Sequence, residues 1–200
     1  MTFSAFLDTC VLVPSVLRDL LLELGTSPAY RPLWSDKIEE ELATVIRRRH
    51  RERGRDADET EAYITRLRRN MNAALPDARV KDWEALAGQI TGAPDPGDIH
   101  VIAAGALGHA DVIVTFNLKH FPERILPGSL FAQSPDDFLR DLFGLYPRQV
   151  LLGLNKISSR TGQKGPRWTV DDILARLEKN GVRGFVADVR EEHQQDCDDL

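Results

Sequence analysis

Two hundred residues with 42% apolar and 28% charged content describe an ordinary globular chain, long enough to bury a core. A net charge of -5 argues against a generally basic coat for nucleic acid, so an RNA or DNA partner would have to meet local basic patches. Two cysteines, Cys10 and Cys197, lie outside any CxxC spacing, which argues against a disulfide framework or a zinc site.

Residues 3–7 (FSAFL) read as a short strand ending at Asp8. After Pro14 and Ser15, the spacing of Val16, Leu17, Leu20, Leu21 and Leu24 predicts a helix, with Gly25 as its stop. YRPLW (30–34) is a second strand, which Pro32 confines to an edge or a short length. Ser35 caps a helix at DKIEEELATVIRRR, whose buried stripe is Ile38, Leu42, Val45 and Ile46. A further helix runs from Asp58 or Glu59 to near Leu75. Residues 80–90 read as a short strand, then a helical WEALAGQI. A helix at 98–108, a strand at 111–115 and a short strand at 130–132 follow. Ser134 and Pro135 then open a helix at SPDDFLRDLF.

This alternation predicts an α/β fold with a central parallel sheet covered on both faces. Ligands in such sheets sit outside the carboxyl ends of the strands, and Asp8 and Asn117 both lie just past one. From about residue 145 the character changes. SSRTGQKGPRW reads as a polar loop, and TVDDILARLEKNG as a helix capped by Thr169 and ended by Gly181. The tail from Asp188 is acidic and expected to fray. The expected division is therefore 1–144 and a C-terminal helical extension, 145–200. No signal peptide is visible at MTFSAFLD, and His109 and Asp111 interrupt the longest apolar run, so a cytoplasmic protein with no membrane span is expected.

The chemistry concentrates in acids. Clustered carboxylates without a basic partner repel, and a divalent cation relieves that repulsion. Asp8 is the anchor candidate. Asp95, Pro96 and Asp98 read as N-cap, first helical residue and first-turn acid; capping explains Asp95 better than Asp98, so Asp98 is the candidate ligand. In the run Glu39, Glu40 and Glu41, the first two read as a solvated face. Glu41, three residues after Ile38 and four before Val45, reads as directed inward. Asn117 and Thr115 are accessory candidates, able to orient a water or a carboxylate. The basic run RRRHRERGR, with Arg47, Arg48 and Arg51, could track a phosphate backbone, as could Arg160, Lys164 and Arg167. His50, His109 and His120 lack metal-ligand spacing and are assigned no role.

LDTCVLVP around Asp8, SDKIEEELATVI around Glu41 and DPGDIHVIAAGALGHADVIVTFNLKHFP at 95–122, in that order, resemble the PIN-domain ribonucleases. The likeness is greatest to the toxins of the virulence-associated protein C type, and covers about residues 3–140. The resemblance implies a small three-layer α/β/α sandwich, a Mg2+ or Mn2+ cofactor and cleavage of RNA. By motif it makes Asp8, Glu41 and Asp98 the main catalytic and metal-binding acids and Asp95 an accessory one. Asn117 stands where many members carry a fourth aspartate. The implied partners are an RNA substrate, a cognate antitoxin and a second copy of the chain.

Two other classes compete. The loss of a carboxylate at Asn117 suits a non-catalytic RNA- or partner-binding module on the same fold. A strand–Asp start also occurs in phosphoryl-transfer domains, but the phosphatase type wants an acid where Cys10 stands, and the receiver type wants an acidic pair that is absent near residue 8.

Overall fold

A computed structural model describes residues 3–162 and 165–198. Lys164 lies outside them, and so do the side chains from His193 on, Cys197 among them. Five strands, β1 (Ser4–Leu7), β2 (Arg31–Ser35), β3 (Arg79–Val80), β4 (Val112–Val114) and β5 (Phe131–Gln133), form one sheet in the order β3-β2-β1-β4-β5. Every pairing is parallel, as the alternation of strands and helices predicts. The strand order reverses between β1 and β4, which opens a crevice at their carboxyl ends.

Both faces are covered. Successive side chains of a strand point to opposite faces. Phe6 and Ile113 lie against Gly105, and Leu33 against Gly108, in or just after α6 (Ile99–Leu107). Pro32, next to Leu33, faces the other way onto Gly25 of α2 (Ser15–Gly25). A Cβ on Gly25 would sit 2.6 Å from the Pro32 ring. Gly25 is therefore required for close packing. It is also the last residue of the helix, the stop expected of it, with Thr26 as the cap.

Pro32 also occupies an interior strand of five residues, so of the two expectations, an edge or a short strand, the edge is not met. The reason is local. The Arg31 N–H donates to Phe3 on the β1 side and the Trp34 N–H to Ala78 on the β3 side, so the position of Pro32 faces β3. The β3 pairing begins only at Trp34, so the missing N–H forfeits no ladder bond.

Ser35 caps α3 (Asp36–Glu52), accepting from Ile38 N at 3.3 Å, as its sequence position suggests. The chain continues through α4 (Ala57–Ala74), α5 (Glu84–Ala87) and α7 (Pro135–Leu145), with Ser134 capping α7 as expected. Beyond it lie α8 (Pro147–Arg160), α9 (Val170–Lys179) and α10 (Arg183–Asp198). Thr169 and Asp172 form a reciprocal capping box at α9, and Gly181 follows with φ +89°. The sequence pattern shows neither α8 nor the start of α10 as a helix, and residues 158–160, expected to open the polar loop, are the last turn of α8. Phe185, Val186 and Val189 are buried and α10 packs on α7, so the chain at Asp188 is helical, where fraying was expected. α8 packs on α2, where the buried Glu23 receives Lys156 at 3.3 Å and Arg160 at 2.7 Å. The buried side chains of α7 to α10 belong to the same apolar cluster as the sheet. Among the described residues, no helix is long and apolar enough to cross a membrane.

Candidate active site

The acids gather at the carboxyl edge of the sheet. Asp8 follows β1 and is almost fully buried. Its Oδ2 accepts from Thr115 Oγ1 at 2.6 Å and from Cys10 Sγ at 3.0 Å. Thr115 follows β4, and its own Oγ1 accepts from the Asn117 N–H at 3.0 Å. One hydroxyl thus ties the Asp8 carboxylate to the turn after β4. Cys10 Sγ accepts in turn from the Phe116 N–H at 3.2 Å. Burial first, then the Asp8 charge, pushes its thiol up to about 12, so it stays a neutral donor.

Glu41 reaches the same edge from α3. Its Oε2 accepts from Thr9 Oγ1 at 2.6 Å, and its Oε1 lies 2.9 Å from His100 Nε2. Burial works against the Glu41 carboxylate, but the His100 and Thr9 hydrogen bonds outweigh it and hold the carboxyl below its usual range. Thr9 adjoins Asp8, and His100 lies two residues after Asp98. Glu41 is therefore bridged through one donor to each of the other two segments.

Asp95 caps the short turn Pro96–Asp98, accepting from Gly97 N at 2.8 Å. Asp98 Oδ2 lies 2.7 Å from His120 Nδ1, and Asp95 Oδ2 lies 3.9 Å from the same nitrogen. Burial raises the Asp98 carboxyl, with added repulsion from Asp8 and Asp95. The His120 hydrogen bond opposes this without reversing it. An acid disfavoured by its neighbours' charge is a position that a cation would relieve.

The fold brings Asp8, Glu41, Asp98, Asp95 and Thr115 to one edge. Asn117 is exposed there, offering its backbone N–H to Thr115. Among the described residues, the one trio with ligand atoms all within 4.8 Å of one another is Asp95, Asp98 and His120. Asp8 and Glu41 complete no trio at that spacing. The donor chemistry nevertheless fits a hard divalent ion: carboxylate oxygens dominate, and Asp98 carries uncompensated repulsion.

Four contributors escaped the sequence reading: Thr9, which donates to Glu41, and three more. Spacing alone gives His120 no role, yet the turn after β4 carries it onto Asp98. His100 sits in the first turn of α6, and Cys10 in the first turn of α1 (Thr9–Leu12). Their proximity to Asp98 and Asp8 in the chain was the available signal. Glu39, read as solvated, is buried; it accepts from Trp34 Nε1 at 3.1 Å and from Asn72 Nδ2 at 2.8 Å. It follows the stripe of Leu42, Ala43 and Ile46 at helical spacing, and its two donors satisfy the carboxylate. Of the basic candidates, Arg47 forms a two-point pair with Glu61 at 2.6 and 2.8 Å, and Arg160 pairs with Glu23. Arg48, Arg51 and Arg167 are exposed.

A family model described as PIN domain matches residues 4–119, and one described as VapC50 C-terminal domain matches residues 135–191. A curated protein named "Putative ribonuclease VapC50", from Mycobacterium tuberculosis (strain ATCC 25618 / H37Rv), is 49% identical over 61 residues. That match covers 28% of this chain and 36% of the relative, so the likeness spans about a third of the relative's length. No solved structure matches.

Proposed function

The chain belongs to the PIN-domain family, and from that membership we propose that it is a divalent-metal-dependent endoribonuclease, the toxin of a toxin–antitoxin pair. The observation that carries this reading is the convergence of Asp8, Glu41 and Asp98 at the switch point of a parallel sheet, each oriented by hydroxyl, thiol or imidazole donors rather than by lysine or arginine. Asp8, Glu41 and Asp98 would hold Mg2+ or Mn2+, with Asp95 and His120 alongside. A divalent ion there supplies an activated water and relieves the charge of the phosphate.

The chain's own residues hold the acids in place. Thr115 and Cys10 occupy one oxygen of Asp8 and fix the carboxylate's direction. Thr9 and His100 lock both oxygens of Glu41. Burial of Asp8 and Thr115 keeps bulk water from the floor of the crevice. Cleavage in line at phosphorus leaves 5′-phosphate and 3′-hydroxyl ends. The partners in this reading are RNA, a cognate antitoxin that covers the crevice, and a second copy of the chain, in the cytoplasm. Residues 1–144 then form the nuclease domain and 145–200 an extension that packs on its α2 and α7.

The test is cleavage of single-stranded RNA in Mn2+ by wild type and Asp8→Ala. Cutting by wild type alone supports the proposal, and equal cutting by both proteins ends it. A binding module without catalysis is the second reading, favoured by the neutral Asn117. Tight RNA binding with no cleavage and no Mn2+ uptake would select it.

A further inference from the structure

Away from the acids, a cavity of about 450 Å³ opens between the start of α2, the end of α3, α4 and α9. Its walls include Arg18, Arg49, Arg53, Arg55, Arg176 and Lys179, and no carboxylate. None of these six cations has a carboxylate at ion-pair distance among the described residues. Such a concentration is anomalous in a chain of net charge -5. Like charges crowded along one cavity repel one another unless an anion joins them.

The floor supplies a second, independent observation. Arg18 is only 3% exposed. Its guanidinium donates to the Leu12 carbonyl at 2.9 Å and the Tyr63 hydroxyl at 3.2 Å, both neutral, and its Nε has no partner. Burying a guanidinium without a carboxylate at ion-pair distance is costly, and Asp19, whose carboxyl feels the Arg18 charge, lies outside the cavity lining. Trp168, also on the wall, has a buried Nε1 without a partner, and Arg176 lies over its ring at 4.0 Å. The nearby acid of α9, Asp172, is engaged in the capping box with Thr169. The positive field is felt locally: burial, then Arg55 and Arg53, holds His50 below its usual range.

We propose that this cavity is a phosphate-binding site, formed jointly by α3 and the C-terminal α9, that grips a phosphate of the RNA strand beyond the segment held at the acids. The inference rests on the nuclease reading for its choice of RNA. Guanidinium forks match phosphate oxygens in two-point fashion, and five of the six cations are arginines. The cavity and the acidic edge share α3. At 1.5 Å rise per residue, Arg49 and Arg53 stand roughly 12 and 18 Å along the axis from Glu41. Asn180 lines the cavity, and the next residue, Gly181, abuts the Phe116 ring beside Thr115. The α9–α10 turn thus spans from the cavity to the acidic edge. Tyr63 and Trp168 add aromatic surface of the kind on which unpaired bases stack.

The test is fluorescence anisotropy of a labelled single-stranded RNA oligonucleotide in EDTA, with the full chain. Arg53→Gln/Lys179→Gln is compared with wild type and with Arg124→Gln/Arg148→Gln, which removes the same charge from exposed positions elsewhere. The pocket variant is expected to bind about tenfold more weakly, with the salt dependence of log Kd shallower by about 1.4, two phosphate contacts' worth on a single strand. The exposed-charge variant stays near wild type. Inorganic pyrophosphate is the small probe: it raises the melting temperature of wild type and not of the pocket variant. Loss of pyrophosphate binding with RNA affinity unchanged overturns the RNA strand as the source and leaves a site for a free phosphoanion. If neither probe distinguishes the variants, the site is refuted. If only a poly-glutamate peptide does, the cavity takes an acidic peptide and the proposal also fails. All readings are made without metal or cleavage, so an inactive protein with an intact phosphate site would sink the nuclease reading alone.

Discussion

The two ends of α3 carry opposite charge under opposite degrees of constraint. Near its start, Glu41 is half-buried with both carboxylate oxygens bonded, to Thr9 and to His100. Near its end, Arg49, Arg53 and Arg55 line an open cavity and have no carboxylate at ion-pair distance among the described residues. One helix thus delivers fixed acids to the sheet edge and loose cations to the solvent side. Fixed carboxylates suit chemistry that needs oxygens at set positions. Loose guanidinia suit the holding of a charged strand, where position matters less than field.

Breaking the acidic end should have the largest effect. Glu41→Gln keeps the shape of the side chain and removes its charge. Cleavage of single-stranded RNA in Mn2+ is expected to fall by more than about 100-fold, beyond what loss of a supporting group costs. An unchanged circular dichroism spectrum would assign the loss to chemistry. Thr115→Val removes the 2.6 Å donor to Asp8 and the acceptor of Asn117 N–H while preserving a β-branched shape. A fall of about 10- to 100-fold in the same assay is expected. His120→Ala should cost a similar factor through Asp98, and wild-type cleavage would show that its 2.7 Å contact is idle.

The acidic edge was only partly legible in the chain. Asp8, Glu41 and Asp98 were visible because each breaks a local pattern: an acid ending an apolar strand, an acid on an apolar helix face, an acid that capping leaves unexplained. His120 and His100 were not visible as partners. Each depends on how two distant turns meet, which no periodicity encodes. The sheet was legible for the same reason as the acids, since period-two and period-3.6 patterns are local. Pro32 misled because its cost depends on the length of β3, a property of another strand. Phe185 and Val189 were missed as core because an acidic tail masks a short buried turn.

Smaller effects sharpen the electrostatic side. Asp98 sits in a folded state that raises its carboxyl above the unfolded value. Its favourable contribution is therefore full below the unfolded pKa and lost as pH rises through the folded one. Asp98→Asn should raise the melting temperature of the metal-free protein at pH 7 and abolish the added stabilisation from Mn2+. A variant that melts lower and still gains from Mn2+ would contradict this account of the site. Least of all, Arg47→Gln breaks a pair whose partners are 42% and 53% exposed, and should leave the urea unfolding midpoint close to that of wild type.

Calorimetric titration of Mn2+ into the full chain puts the central claim, that the acids are held apart for a cation, to its most direct test. Wild type should bind at pH 7.5 and lose affinity as pH falls, because protons compete for the raised Asp98 carboxyl. Asp98→Asn should bind at least about tenfold more weakly. No binding at millimolar Mn2+, or binding indifferent to Asp8, Glu41 and Asp98 alike, would contradict it.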